Sequence, residues 1–150
     1  MSINQSRLPV GATVAPIILS SDKTKLLNFY GDKSAWHLYL TIGNLSKEVQ
    51  RMPSAHSTIL IGYLPMGNFE CFSEKKRKVM HYQTFHSCMS FILNSLHTAG
   101  SNRVPMACAD NKVRRVWPVV VAYVADYLEQ CLVACYMENR CPIGQIAPNL

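Results

Sequence analysis

Two apolar runs that each end in an aspartate constrain the fold of this sequence more than any other feature. Residues 15–22 read APIILSSD and residues 119–126 read VVVAYVAD. Short runs rich in β-branched residues predict buried strands. If two such strands are neighbours, their terminal carboxylates can share a divalent metal. The pattern therefore points to Asp22 and Asp126 as metal ligands for phosphoryl transfer on nucleic acid.

The composition sets limits on the class of protein. A chain of 150 residues that is 49% hydrophobic can form one domain with a sizeable core, and a net charge of +6 favours a polyanionic partner such as nucleic acid. The sequence has no apolar stretch of the roughly 20 residues that a membrane span needs, and no signal-peptide pattern near Met1. We therefore expect an intracellular protein that is neither secreted nor membrane-bound, with its six cysteines reduced.

The order of predicted elements indicates a fold class. We expect strands at residues 15–20, 36–42 and 57–64, a helix at 80–98 that Gly100 ends, hairpin arms at 104–109 and 113–124, and a helix at 127–137. This order predicts an incomplete α/β, ribonuclease H-like fold, which is a mixed sheet with flanking helices. The sheet would contain a three-stranded antiparallel meander and, after a helix, a strand added in parallel. On that topology Asp22 and Asp126 would lie side by side.

Each candidate aspartate also has a purely local interpretation. Asp126 and Glu129 have the spacing of a capping box, so Asp126 can serve as a helix N-cap. Asp22 can be a turn residue, and Asp110 stands in a turn-like segment where aspartate is common for local hydrogen bonding. From the residues alone, these local roles are the stronger interpretation.

Basic residues and cysteines supply the remaining candidate sites. The basic residues Lys75, Lys76, Arg77, Lys78, Arg114 and Arg115 are candidate contacts to DNA phosphates, although a solvated charged surface explains them equally well. Cys135 and Cys141 could form part of a zinc site, but a structural zinc needs four ligands. The spacing of Cys131 and Cys135 on one helix face favours buried thiols, so we do not expect zinc.

Six separated blocks, in order, resemble the Plavaka-type transposases of fungal mobile elements. The blocks are residues 17–24 (IILSSDKT), 31–36 (GDKSAW), 40–47 (LTIGNLSK), 53–56 (PSAH), 61–65 (IGYLP) and 122–130 (AYVADYLEQ). The likeness covers roughly residues 15 to 142. Six blocks in the right order are far more specific than any single motif.

The resemblance implies a DDE-type transposase with a ribonuclease H-like fold, dependence on Mg or Mn, DNA as substrate and a nuclear location. Asp22 falls on the first acidic position of the family, and Asp126 on the second, with Asp110 as the competing candidate. This sequence departs from the family in having Leu128 where a proline is usual, and Gly144 where the cysteine-rich tail has a cysteine. The second departure removes a zinc ligand.

Family members are much longer, so the resemblance implies an internal fragment. We expect a flexible lead-in at residues 1–14, a partial ribonuclease H-like transposase core at 15–138 and an irregular, Cys-containing tail at 139–150. The third carboxylate would lie outside the chain, which we therefore expect to be inactive alone. The alternative function is a non-catalytic nucleic-acid-binding or protein-interaction module. Such a module could self-associate or bind a longer transposase.

Overall fold

A five-stranded mixed sheet organises the protein in a computed structural model that describes residues 10, 12–25, 34–67, 69–108 and 110–136. The strands are β1 (Ala12–Lys25), β2 (Ser34–Ile42), β3 (Thr58–Leu64), β4 (Val104–Ala107) and β5 (Val113–Val124). The helices are α1 (Lys47–Arg51), α2 (Glu74–Asn102) and α3 (Tyr127–Val133), with a 3₁₀ turn at Pro53–Ala55. The molecule is therefore a mixed α/β protein, as predicted.

The strand order β3-β2-β1-β5-β4 confirms the predicted connections. β1 pairs with β2, and β2 with β3, in an antiparallel meander. β5 adds to the other side of β1 in parallel, and β4 forms an antiparallel hairpin with β5 at the edge of the sheet. β1 is therefore a central strand with neighbours on both sides.

The core lies between the meander and α2. Leu38 of β2 is fully buried and clusters with Leu64 of β3. Phe85 and Met89 of α2 stand four positions apart, so they share the helix face that covers this cluster. Trp36, two residues before Leu38 on the same face of β2, stacks on Phe85 with ring centroids 5.3 Å apart.

The long helix extends beyond both predicted ends. α2 begins at Glu74, so the basic residues 75–78 form its first turn, although the helix was expected only at 80–98. The prediction that Gly100 ends the helix was also wrong, because α2 continues to Asn102. A Cβ atom at Gly100 would lie 3.2 Å from the carbonyl oxygen of Pro118, so this glycine lets the helix approach β5 closely.

The first strand and the last helix also differ from their predicted bounds. β1 starts at Ala12 and runs to Lys25, because it pairs with β5 at one end and with β2 at the other. α3 ends at Val133, where the N–H of Tyr136 donates to the carbonyl oxygen of Cys131 at 2.8 Å. With Cys135 at a φ of 56°, this is a Schellman ending. The predicted tail, residues 139–150, lies outside the described residues.

Candidate active site

The parallel pairing of β1 with β5 brings the ends of the two predicted strands together. Ser20 of β1 pairs with Val124 of β5. Asp22 lies two residues after Ser20, and Asp126 lies two residues after Val124. Paired strands lie about 4.8 Å apart. β5 ends at Val124, whereas β1 continues along β2 to Lys25. The two aspartates therefore lie at the same end of the β1–β5 pair, Asp22 within β1 and Asp126 just beyond the end of β5.

Asp22 is an exposed residue on β1, opposite His37 of β2. One of its carboxylate oxygens, Oδ2, accepts a hydrogen bond from the Thr24 hydroxyl at 2.9 Å. Because side chains alternate along a strand, Asp22 points away from the face that carries Ser21 and Lys23. Its carboxylate lies at the part of β1 beyond the last residue pair with β5.

Asp126 has the local role that its spacing indicated. It is the N-cap of α3, and its Oδ1 accepts a hydrogen bond from the backbone N–H of Glu129 at 2.8 Å. Asp126 is exposed and lines a cavity beside α3. The cap fixes the orientation of this carboxylate without using both of its oxygens.

Glu129 is an acidic residue of the site that the sequence analysis assigned only to capping. It is 7% exposed, and its carboxylate accepts a short hydrogen bond from the Ser21 hydroxyl instead of closing a capping box. The Tyr123 hydroxyl in turn donates to Ser21 Oγ at 2.8 Å. One signal in the sequence did point to this network: Ile17, Leu19 and Ser21 alternate along β1, which places a polar side chain on the buried face.

The two aspartates act electrostatically on Glu129. Burial raises the pKa of Glu129 above its ordinary value of 4.5, and the negative charges of Asp126 and Asp22 raise it further. Hydrogen bonding from Ser21 and the nearby Trp36 indole opposes this rise in the pKa. Burial also raises the pKa of Tyr123, and the Glu129 charge adds to that effect. All three acidic groups therefore belong to one electrostatic neighbourhood.

A cavity of about 730 Å³ opens beside these residues. Its walls include the acidic Asp126 and Glu129, the basic Lys23 and Lys78, and His81. The aromatic residues Trp36, Phe69, Tyr82 and Phe85 complete much of the lining. The cavity therefore combines carboxylates, cations and aromatic rings at the carboxyl end of the parallel strand pair.

Asp110 lies at the opposite end of β5, in the hairpin turn. Its carboxylate makes two hydrogen bonds with the Arg114 guanidinium, at 2.8 and 2.6 Å. The backbone N–H of Lys112 also donates to it, as in the predicted turn. The Arg114 hydrogen bonds are the main cause that lowers the pKa of Asp110 to about 2. This placement favours Asp126 over Asp110 as the partner of Asp22.

The predicted basic residues are exposed or partly exposed. Lys75, Lys76, Arg77 and Lys78 occupy the first turn of α2, where Arg77 Nε donates to the Phe72 carbonyl oxygen at 3.1 Å. Lys78 alone of these four faces the cavity. Arg115 is exposed on β5, whereas the Arg114 guanidinium is engaged by Asp110.

The cysteines in and after α3 lie in different environments. Cys131 is fully buried, whereas Cys135 is exposed with its Sγ 3.4 Å from His86 Nε2. Cys141 lies outside the described residues. Across residues 12–25, 34–67, 69–108 and 110–136, no group of three or more His, Cys, Asp or Glu side chains is arranged to hold a metal ion.

Fold and site together define a mixed α/β domain with acidic residues at the carboxyl end of a parallel strand pair. A family model described as Plavaka transposase matches residues 1–150. The chain belongs to this family, which confirms the resemblance seen in the sequence blocks. No curated protein and no solved structure matches the chain. Within the described part of the chain, we find no helix that is long and apolar enough to cross a membrane.

The capping role of Asp126 predicts a difference between two substitutions. Asp126→Ala removes the side-chain acceptor of the Glu129 N–H, and we expect it to lower the free energy of unfolding by about 1 kcal/mol. Asp126→Asn keeps an acceptor and should change the free energy of unfolding by much less. Urea denaturation of the three proteins measures both values. Equal destabilisation by Ala and Asn would contradict the capping role.

The buried Glu129 predicts a pH dependence of stability. Its pKa is raised by folding, so the folded state binds the proton more tightly than the unfolded state. The contribution of this proton is fully present below pH 4.5 and declines as pH rises through the raised pKa. The unfolding free energy of the wild type, minus that of Glu129→Gln, should therefore fall over this range in urea titrations. A difference that rises with pH would show that the carboxylate is held in its charged form.

Proposed function

We propose that this chain forms part of a ribonuclease H-like catalytic domain of a DDE-type transposase, with an ancestral activity of metal-dependent DNA strand cleavage and transfer. The observation that carries the proposal is that Asp22 and Asp126 lie at the same end of the parallel β1–β5 pair, two residues beyond the paired Ser20 and Val124. Membership of the Plavaka transposase family supports the same function. On this proposal the partner of the chain is DNA, and the chain acts in the nucleus.

The proposed metal ligands have a suitable chemistry. Asp22 and Asp126 are exposed, and one oxygen of each accepts a hydrogen bond, while the other oxygen has no hydrogen bond among the described residues. Mg²⁺ usually keeps several waters and binds through one or two carboxylates, and Mn²⁺ accepts the same oxygen ligands. Two carboxylates therefore fit Mg or Mn. When bound, such a metal polarises a phosphoryl oxygen and activates the attacking water or 3′-hydroxyl.

The remaining residues have supporting roles in this proposal. The Ser21–Glu129 hydrogen bond ties the start of α3 to β1, and so holds Asp126 at a fixed position relative to Asp22. Lys23 and Lys78 lie at the cavity and attract the phosphate backbone of DNA. Two carboxylates are fewer than the acidic triad of a DDE enzyme, so this chain alone is expected to cleave DNA poorly or not at all.

Calorimetric titration with Mn²⁺ tests the metal site. We expect Asp22→Asn and Asp126→Asn each to weaken Mn²⁺ binding at least about tenfold, equivalent to about 1.4 kcal/mol. Asparagine preserves the N-cap at position 126, so a loss there reflects the charge and not the fold. Asp110→Asn is the matched control, because its carboxylate is paired with Arg114 at the far end of β5, and it should bind Mn²⁺ as the wild type does.

The contrary result would favour the alternative function. A non-catalytic nucleic-acid-binding module would bind DNA through exposed lysines such as those of the first turn of α2. Its affinity would fall steeply with salt and would be the same in both Asp→Asn variants, with or without Mn²⁺. That outcome, together with Mn²⁺ binding no stronger than in the Asp22→Asn protein, would overturn the catalytic proposal.

A further inference from the structure

The longest unbroken run of exposed residues in the described part of the chain lies at the start of α2. Every residue from 70 to 79 is exposed. The run includes four consecutive cations, Lys75, Lys76, Arg77 and Lys78. A short run rich in Lys and Arg is typical of segments that bind nucleic acid or that direct a protein to the nucleus. The geometry of the run favours the second of these uses.

The helical arrangement of the four cations does not suit binding to one flat surface. Successive residues of an α-helix lie about 100° apart around its axis, because one turn takes 3.6 residues. The four side chains therefore point in most directions around α2, and only Lys78 of the four lines the cavity. A DNA duplex on one side of the helix would contact some of them and leave the others in solvent. A groove that holds the same segment as an extended peptide can contact all four.

The first turn of α2 is only weakly held in its helical conformation. Ser73 is the N-cap, but its side chain makes no capping hydrogen bond. Cations at the N-terminal end of a helix oppose the helix dipole, and Glu74 is the acidic residue of the first turn that offsets them. The first buried residue of α2 is Phe85. Because segments with few buried contacts open more easily than the core, residues 74–79 can unwind while Phe85 and Met89 keep the rest of the helix on the sheet.

A partner for an extended run of cations needs a groove lined with carboxylates. Each ammonium or guanidinium group can then donate a charge-assisted hydrogen bond, which is stronger than a hydrogen bond between neutral groups. Unwinding breaks the exposed hydrogen bond from Arg77 Nε to the Phe72 carbonyl oxygen, and a carboxylate of the groove can replace this acceptor. The charge and exposure of the segment therefore fit an acidic protein groove.

A second basic cluster, in the hairpin, lacks the freedom to unwind. The Arg114 guanidinium is paired with Asp110 at 2.6 Å. Arg115 is exposed, but it lies in β5, whose backbone is paired with β4 on one side and β1 on the other. Lys112 is exposed in the turn. This cluster carries similar charge on a segment that the sheet holds in place, so it provides a matched control.

We propose that residues 75–78 are a nuclear import signal, which unwinds from α2 and binds in extended form to an acidic groove of an import receptor. The proposal rests on the proposed function only in taking the nucleus as the place where the chain acts. It gives Lys75, Lys76 and Arg77 a role outside the candidate active site. Lys78 returns to the cavity when the first turn of α2 forms again after import.

Import into permeabilised cells provides the test. The full chain is joined to a fluorescent passenger protein that is too large to diffuse through nuclear pores, and the cells receive cytosolic extract and an energy source. The wild-type fusion should accumulate in the nuclei, and it should stay outside when the energy source is withheld. Lys75→Ala combined with Lys76→Ala should abolish accumulation, because two of the four charge pairs with the receptor are lost. Alanine favours the helix, so this double variant should fold as the wild type does.

Lys112→Ala combined with Arg115→Ala is the matched control. It also removes two positive charges from exposed residues, but from the cluster that the sheet holds in place. This double variant should accumulate in the nuclei as the wild type does. Circular dichroism verifies that both double variants fold.

Competition by a peptide tests the extended form of the signal. A peptide of residues 70–80 is too short to form a stable helix in water. In excess, it should block import of the wild-type fusion. The same peptide with Lys75→Ala and Lys76→Ala should not block it.

Three results would overturn the import signal. The first is a wild-type fusion that stays outside the nuclei, and the second is an equal loss of import in the two double variants, which would reflect net charge alone. The third is accumulation that continues without an energy source, which would show that the cations retain the chain on DNA. None of these results bears on the metal site, which the Mn²⁺ titrations test. Conversely, signal-dependent import together with unchanged Mn²⁺ affinity in Asp22→Asn would support the import signal and contradict the catalytic proposal.

Discussion

A buried hydrogen bond between Ser21 and Glu129 connects parts of the chain that are 108 residues apart, and the arrangement of the candidate site depends on it. Ser21 belongs to the central strand β1, and Glu129 to the first turn of α3. Tyr123, in β5, donates to the same serine and so joins the third element to the network. Because a buried carboxylate without partners is costly, this network holds α3 against the sheet in one position.

That fixed position gives the end of the sheet its chemical character. Asp126 caps α3 and lines the cavity with its lysines and aromatic rings, whereas Asp22 extends from the other face of β1. Negative charge from both aspartates raises the pKa of Glu129, as does burial.

Much of this architecture was predictable from the sequence because strand patterns are local. Alternation and β-branched residues identified the five strands, and their order predicted the meander with its added parallel strand. The ends of elements were harder to predict. Gly100 does not end α2, and it instead lets this helix lie close to Pro118 of β5. The contact of Glu129 was also hard to predict. Its spacing from Asp126 indicated a capping box, but its partner Ser21 lies in a strand far away in the sequence. Long-range polar pairs of this kind leave only weak traces in local sequence.

The central proposal is that one divalent metal binds both Asp22 and Asp126, at the end of the sheet beyond the paired positions Ser20 and Val124. A crystal structure determined in the presence of Mn²⁺, with anomalous diffraction to locate the ion, measures this directly. The account predicts an anomalous peak within bonding distance of one oxygen from each aspartate, with water completing the coordination. A peak bound by only one of the two aspartates, or no peak at this end of the sheet, would contradict it.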